Sequence, residues 1–168
     1  MEVFNNFKDL FLSVWAKGLL GIDFFQIIIG IGIFFLFLIF RGLISKLIIK
    51  KLELISKKTT NKLDDTFVKA MEGPARFLPI VLGVFFASYY MSFSEEARSF
   101  IDNINRTLIT ILIFWIIHQI IEPISYILSG LGKILTRELI GWIIKSLKIL
   151  IFILGLAAVL ELWGIKIG

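Results

Sequence analysis

The chain has 168 residues, of which 58% are hydrophobic and 14% aromatic, and its mean hydropathy is +0.92. Soluble domains are about 45 to 50% apolar, and small domains leave much of their surface exposed, so this composition excludes a water-soluble globule and indicates an integral membrane protein.

The absence of cysteine excludes disulfides and cysteine-based zinc or redox sites. A net charge of +5 suits either nucleic acid or an anionic membrane surface. The long apolar runs between the charges favour the membrane, so we expect no nucleic-acid partner.

Residues 1–21 are predicted to form an interfacial amphipathic helix. Large apolar side chains recur on one helical face over residues 3–17, whereas most polar side chains lie elsewhere. The alternative is a first helix that packs on its neighbours. A secretory signal is not expected, because acidic residues precede the first apolar run and no basic stretch leads to a small-residue cleavage site.

Four apolar runs then predict an all-α fold with four transmembrane helices. At about 1.5 Å per residue, each run crosses or nearly crosses a hydrocarbon core of about 30 Å. The runs are Phe24–Phe40, Phe77–Phe93, Thr107 to about Leu131, and Trp142–Trp163. Pro123 should bend the third run. Lys145 and Lys148, at the start of the fourth, can extend to the lipid headgroups.

The charges between the runs predict the orientation of the chain. Thirteen Lys and Arg residues lie between the first and second runs or between the third and the start of the fourth, against five elsewhere. By the positive-inside rule both chain ends are external. Within the region 22–93, residues 41–76 then form a basic cytoplasmic elbow. Residues 94–106 are an external loop, 107–163 hold the last two helices, and 164–168 form a turn.

The elbow is predicted to consist of two helices. Apolar residues at helical spacing continue the first helix past residue 41, and a polar break at 56–61 precedes a short helix that ends at Gly73-Pro74. Asp64 and Asp65 are either first-turn acids that interact favourably with the helix dipole or paired carboxylates for acid–base chemistry. Asp64, Asp65, Gly73 and Pro74 are therefore candidate elbow or gating residues.

Six basic residues in and beside the elbow are candidate ligands for lipid headgroups. They are Lys46, Lys50, Lys51, Lys57, Lys58 and Arg76. Clustered Lys and Arg near a membrane surface attract anionic lipid by about 1 kcal/mol each, so the set predicts a headgroup pocket. The general positive charge of a cytoplasmic loop also accounts for it, and both interpretations can hold together.

His118 and Glu122 form the one ionisable pair deep in a predicted span, and their spacing of four residues places them on one helix face. A charge at the bilayer centre costs about 2.5 to 3.5 kcal/mol on insertion scales, so such residues are functional candidates. One interpretation is a proton relay or a pair of metal ligands. The other is structural, because Glu122 lies near the cytoplasmic end of its span and a neutral His118 can donate a hydrogen bond across helices.

The motifs of catalysis are missing from the sequence. It contains no phosphate-binding loop, nucleophile elbow or dinucleotide fingerprint. Two candidate ligands without a third His or Cys do not make a metal site. We therefore expect a protein that is not an enzyme and that carries no cofactor or metal.

Two stretches of the sequence, Leu135 to Gly168 and Asn61 to Leu78, resemble the MscS family of small-conductance mechanosensitive channels. Leu135 to Gly168 has the family's Lys-rich helix start and Gly-containing middle, and Trp163-Gly164-Ile165-Lys166-Ile167-Gly168 resembles the turn that leads to the pore helix. Asn61 to Leu78 resembles the branch with extra N-terminal transmembrane helices, in which a Leu-Asp-Asp segment precedes a Pro-containing helix start.

The resemblance implies a homoheptamer in a bacterial inner membrane, with these four helices as the lipid-facing paddle of each subunit. A complete family member continues past the position of Gly168 into a Gly/Ala-rich pore helix and a cytoplasmic cage. Membrane lipids, including those with anionic headgroups, are then the expected partners.

The function expected from these features is tension sensing in a channel that opens on membrane stretch and releases osmolytes and ions during hypoosmotic shock. Two alternatives belong to other classes. One is a membrane scaffold or accessory subunit that conducts nothing. The other is a small proton-coupled transporter that uses His118 and Glu122.

Overall fold

The computed structural model describes residues 4–9, 23–56, 62–129 and 136–167, and their regular structure is helical throughout. Four long helices make up the fold, and they confirm the predicted all-α class. They are α1 (Phe24–Ser56), α2 (Lys62–Tyr90), α3 (Glu95–Ser129) and α4 (Arg137–Leu162).

Side chains just before the first helical residue cap two of these helices. Asp23 Oδ1 accepts a hydrogen bond from the backbone N–H of Phe25 at 3.3 Å, at the start of α1. Thr136 is the N-cap of α4, and its hydroxyl accepts from the N–H of Leu139 at 3.4 Å. These bonds satisfy donors that a helix start leaves without intrahelical partners.

Each of the four helices is long and apolar enough to cross a membrane, as predicted. The qualifying segments are Phe24–Leu54, Thr66–Tyr90, Glu95–Ser125 and Arg137–Leu162. The most hydrophobic windows of α1 and α4 are only 6% buried within the protein, against 39% for α2 and 17% for α3. So much exposed apolar surface suits a lipid environment and agrees with a multi-pass membrane protein.

The helices form an antiparallel row in chain order, because the main contacts join α1 to α2, α2 to α3, and α3 to α4. The rings of Phe37 on α1 and Phe86 on α2 stack with centroids 5.5 Å apart. The rings of Phe77 on α2 and Trp115 on α3 lie 5.6 Å apart. Inner helices α2 and α3 therefore contact a helix on two sides, whereas α1 and α4 form the edges.

The predicted short helix that ends at Gly73-Pro74 is wrong, because α2 continues through Pro74 and Pro79 to Tyr90. Proline removes an intrahelical hydrogen bond, but neighbouring helices make it tolerable in membrane-spanning helices. Both prolines are buried, and Pro79 is among the least exposed side chains of the described chain. Tertiary packing therefore overrides the local helix-stop signal here.

Residues 94–106 do not form the predicted loop, since α3 begins at Glu95, and their external position stays a prediction. The backbone carbonyl of Ser94 accepts from the N–H of Arg98 at 2.8 Å, and its hydroxyl accepts from the N–H of Ala97 at 3.5 Å. Glu95 and Glu96 add negative charge in the first turn, where the helix dipole favours it. The polar segment is therefore a helix start.

The predicted interfacial helix falls only partly within the described residues. Residues 4–9 are helical, with exposed side chains that include Phe4 and Phe7. Residues 10–22 lie outside the described part of the chain, so the position of this segment in the interface stays a prediction.

Candidate functional site

A polar cleft lies between α1 and α2 and contains half of the predicted headgroup ligands. Its volume is about 350 Å³. Residues of α1 at helical spacing line one wall, and residues one turn apart on α2 line the other. The lining residues are Ser45, Lys46, Ile49, Lys50, Glu53, Glu72 and Arg76. We call this site the basic cleft.

The charges of the basic cleft offset one another in part. Three cationic side chains line the cleft, and Glu53 and Glu72 line it as well. The two glutamates were not among the residues predicted for the site. Arg76 Nη2 lies 3.4 Å from Glu72 Oε2, and the two side chains are 69% and 49% exposed. Exposed ion pairs contribute little, typically about 0 to 1 kcal/mol, so Arg76 is readily available to an anionic ligand.

The other three predicted ligands are not among the described residues that line the cleft. Lys51 is exposed on α1 and does not line the cleft. Lys57 and Lys58 lie outside the described residues. Of the six basic residues, the structure brings Lys46, Lys50 and Arg76 together. The spacing of Lys46, Lys50 and Glu53 is a signal that could have identified Glu53, whereas the contribution of Glu72 depends on how α1 and α2 pack.

The candidate elbow residues lie inside α2. A Cβ added to Gly73 would lie 3.0 Å from Cζ2 of Trp115 on α3, so this glycine permits a close helix contact. Pro74 is buried next to it. Asp64 and Asp65 lie near the start of α2, and their side chains are outside the described part of the structure. Gly73-Pro74 therefore marks a packing site between α2 and α3.

Glu122 is joined to α4 through an ion pair that local sequence patterns do not predict. Lys148 Nζ donates to Glu122 Oε2 at 2.6 Å. The Lys148 side chain is 27% exposed and the Glu122 side chain 58%. Lys148 was predicted to extend towards the headgroups, and instead it binds a carboxylate on the neighbouring helix. The pair favours the structural interpretation of Glu122.

His118, one turn from Glu122, lines an apolar cavity between α3 and α4. The cavity has a volume of about 400 Å³, and its other walls include Phe114, Trp115, Phe152 and Gly155. A Cβ added to Gly155 would lie 3.0 Å from the ring of Phe114, so the glycine lets α4 approach α3 closely. Among the described residues, no group of three or more His, Asp or Glu side chains could hold a metal ion.

A second polar bond joins α3 to the residue that follows α4. Trp163 Nε1 donates to the hydroxyl of Thr107 at 3.1 Å, and its ring meets Phe100 edge to face with centroids 5.4 Å apart. Trp163 follows α4 directly, and Gly164 next to it has a φ of 81°. The turn predicted for 164–168 therefore begins with a backbone conformation that favours glycine.

Two curated proteins are similar to this chain, although no protein-family model and no solved structure matches it. An uncharacterized MscS family protein of Aquifex aeolicus (strain VF5) is 27% identical over 153 residues, which make up 88% of this chain and 41% of that protein. An uncharacterized MscS family protein of Bacillus subtilis (strain 168) is 29% identical over 108 residues, which make up 64% of this chain and 29% of that protein.

These relatives confirm the resemblance to the MscS family and support an MscS family membrane protein. The chain spans less than half of the length of either relative.

Proposed function

We propose that this chain, as an MscS family membrane protein, forms the tension-sensing transmembrane region of a mechanosensitive channel. The observation that carries the proposal is the similarity to an MscS family protein over 88% of the chain. In this proposal the channel opens on membrane stretch, releases osmolytes and ions during hypoosmotic shock, and catalyses no reaction.

The exposed apolar faces of the row support a role in sensing the bilayer. Both edge helices have spans that are only 6% buried within the protein. Tension favours whichever channel state occupies more membrane area, and a lipid favours whichever state binds it better. Helices with so much lipid-accessible surface can respond to both influences.

The basic cleft adds a specific lipid contact to the proposal. Lys46, Lys50 and Arg76 would bind the phosphate of an anionic headgroup, each adding about 1 kcal/mol near the membrane surface. Glu53 and Glu72 would limit this attraction. The cleft would then bias gating only by the difference in lipid affinity between the closed and open states.

The proposal includes the membrane in which the channel lies, the orientation of the chain and the number of subunits. We assign it to a bacterial inner membrane, with both ends of this chain external and the basic cleft on the cytoplasmic side, as the positive-inside rule indicates. The family resemblance implies a homoheptamer in which the four helices form the lipid-facing paddle of each subunit.

Patch recording of the full gene product in liposomes tests the function. We expect current that appears with membrane tension and is absent from protein-free liposomes. A properly inserted protein that carries no tension-gated current would contradict the proposal and favour a scaffold or accessory subunit.

The role of the cytoplasmic basic residues has its own test. We expect charge reversal at Lys50, Lys51 and Lys57 to shift the tension threshold, because it removes attraction to anionic headgroups. An unchanged threshold would mean that these residues only set the orientation of the chain.

A further inference from the structure

A second polar cavity lies at the end of α2 opposite to the basic cleft, where α2 and α3 meet. Its volume is about 40 Å³, close to the space of one small polar group. Residues near the end of α2 form one wall, and three polar residues on one face of α3 form the other, namely Arg98, Asp102 and Asn105. This site is independent of the channel proposal and depends only on the chain being a membrane protein.

Asn105 has a buried oxygen that lacks a hydrogen-bond donor. Its side chain is 8% exposed, and its Nδ2 donates to Ser88 Oγ at 2.8 Å. Because Ser88 Oγ in turn donates to the carbonyl of Phe85 at 2.9 Å, it has no proton left for the other amide atom. With the amide in this orientation, Asn105 Oδ1 has no hydrogen-bond partner. A buried acceptor without a partner costs about 1 to 3 kcal/mol.

Apart from Arg98, the polar and aromatic walls of the cavity suit a cation. Asp102 supplies a carboxylate less than one turn from Asn105, and Phe85, Tyr89 and Phe93 supply aromatic surface. Aromatic faces attract cations, most strongly when the cation is partly desolvated. Within the described part of the chain, neither Arg98 nor Asp102 forms an ion pair. Both charges are therefore available to a ligand.

Arg98 indicates that the ligand carries an anionic group in addition to its cationic group. It lies on the same face of α3 as Asn105, about 10 Å further along the axis at about 1.5 Å per residue. Its long side chain can reach back towards the cavity mouth and bind a phosphate. A ligand with an ammonium group and a phosphate a few bonds apart would satisfy Asn105, Asp102 and Arg98 together.

We propose that this cavity binds the primary ammonium group of an ethanolamine phospholipid. In this proposal the ammonium donates to Asn105 Oδ1 and to the Asp102 carboxylate, while Arg98 binds the phosphate. A primary ammonium is similar to water in size and fits about 40 Å³. The trimethylammonium of choline is larger and has no N–H to donate.

Lipid binding to the purified chain in detergent tests the proposal, with native mass spectrometry as the readout. The ligands are phosphatidylethanolamine, its mono- and dimethylated forms, phosphatidylcholine and phosphatidylglycerol, all with the same acyl chains. We expect affinity to fall with each methyl group and to be about tenfold lower for phosphatidylcholine, which corresponds to about 1.4 kcal/mol. Phosphatidylglycerol, which lacks the ammonium, should not share this preference.

Three variants separate the site from general lipid contact. Asn105→Leu should abolish the preference for ethanolamine over choline, because it removes the acceptor and fills the cavity. Asp102→Asn should weaken the preference and tests the site independently if Asn105→Leu does not fold. Glu96→Gln is the matched control, since it removes one acidic charge from the exposed first turn of α3 outside the cavity.

Equal binding of phosphatidylethanolamine and phosphatidylcholine by the unmodified chain would overturn the proposal and mean that the cavity holds water. A preference that persists unchanged in folded Asn105→Leu, or in Asp102→Asn, would place the headgroup elsewhere and overturn it as well. Loss of the preference in Asn105→Leu and a weaker preference in Asp102→Asn, with no change in Glu96→Gln, would support it.

Discussion

The two helix hairpins are held together in different ways. Between α1 and α2, Gly83 lies against Phe37 and the rings of Phe37 and Phe86 stack, while the N–H of Ser92 donates to Gln26 Oε1 at 3.1 Å near one end and the polar basic cleft opens towards the other. Between α3 and α4, Trp163 bonds to Thr107 where α4 ends, Lys148 bonds to Glu122 near the middle of α4, and a cavity of about 400 Å³ lies between these two bonds. The closest packing of the first hairpin is between apolar side chains, and the second is joined by two side-chain bonds between its helices.

The two hairpins also differ in whether their ion pairs join neighbouring helices. Lys148 is bound to a carboxylate on the facing helix at 2.6 Å. In the basic cleft, the one ion pair formed by the lining residues joins Arg76 to Glu72 within α2, and both side chains are well exposed. Charge in the second hairpin therefore connects helices, whereas charge in the first stays available to a ligand.

The largest effect is expected from filling the α1–α2 contact. A Cβ at position 83 would lie 2.9 Å from Cβ of Phe37, an atom close to the backbone that cannot move aside easily. Gly83→Leu should therefore lower the free energy of unfolding by about 2 to 3 kcal/mol, as overpacking does. Thermal unfolding in detergent measures the change.

Two matched variants sharpen that test. Gly32→Leu, where an added Cβ meets nothing within 4 Å, should have little effect or stabilise slightly, since leucine favours helix more than glycine does. Gly155→Leu should cost somewhat less than Gly83→Leu, because its Cβ would lie 3.0 Å from Cγ and 3.1 Å from Cβ of Phe114, slightly farther than 2.9 Å, and the adjacent cavity leaves room for the rest of the leucine. Equal losses at positions 83 and 155 would contradict the proposed difference between the hairpins.

The next effect is expected from breaking the bond between α3 and α4. Glu122→Gln should cost about 1 to 2 kcal/mol, between the values for a charged hydrogen bond and for an exposed ion pair. A double-mutant cycle with Lys148→Gln measures the coupling in thermal unfolding. Lys145→Gln on the same helix is the control, and a coupling energy below about 0.5 kcal/mol would show that the pair does not join the helices.

A smaller effect is expected in the basic cleft, where the readout is ligand binding. Lys50→Gln should weaken binding of phosphatidylglycerol about fivefold, from a loss of about 1 kcal/mol, and high salt should reduce the difference. Glu72→Gln should strengthen binding. The control is Lys51→Gln, which lies outside the cleft, and an equal loss there would mean that only total charge matters.

The last effect, of about the same size, is expected where α4 ends. Thr107→Val removes the acceptor for Trp163 Nε1 and should cost about 1 kcal/mol, as an ordinary hydrogen bond does. The tryptophan emission spectrum should shift at the same time. Thr110→Val, one turn further along α3, is the control. No change of stability at position 107 would leave Glu122–Lys148 as the main polar connection between the helices.

The sequence predicted the spans because a long uncharged run is stable in few environments besides a bilayer. Phe24–Phe40 requires lipid or a large core whatever its neighbours are, and the continuation of α1 to Ser56 follows from helical periodicity. The basic cleft was found in part for a similar reason, since Lys46 and Lys50 lie one turn apart on the same helix.

The remaining features depend on how distant residues meet. Glu122 and Lys148 are 26 positions apart in the chain, so their contact depends on the register of an antiparallel hairpin that local patterns do not specify. Gly73-Pro74 is a helix-stop signal in isolation, and only its packing against Trp115 shows its actual role. The missing donor to Asn105 Oδ1 depends on the contact of Asn105 with Ser88 on the neighbouring helix, which local patterns do not specify.

The two buried prolines of α2 have a mechanical consequence. Pro74 and Pro79 have no N–H, so the carbonyls of Ala70 and Ala75 lack the amide donors that a regular helix supplies four residues later. The segment between them therefore resists bending less than the rest of α2. Because α2 lies between α1 and α3 in the row, tilting of the first hairpin against the second should concentrate in this one turn and a half.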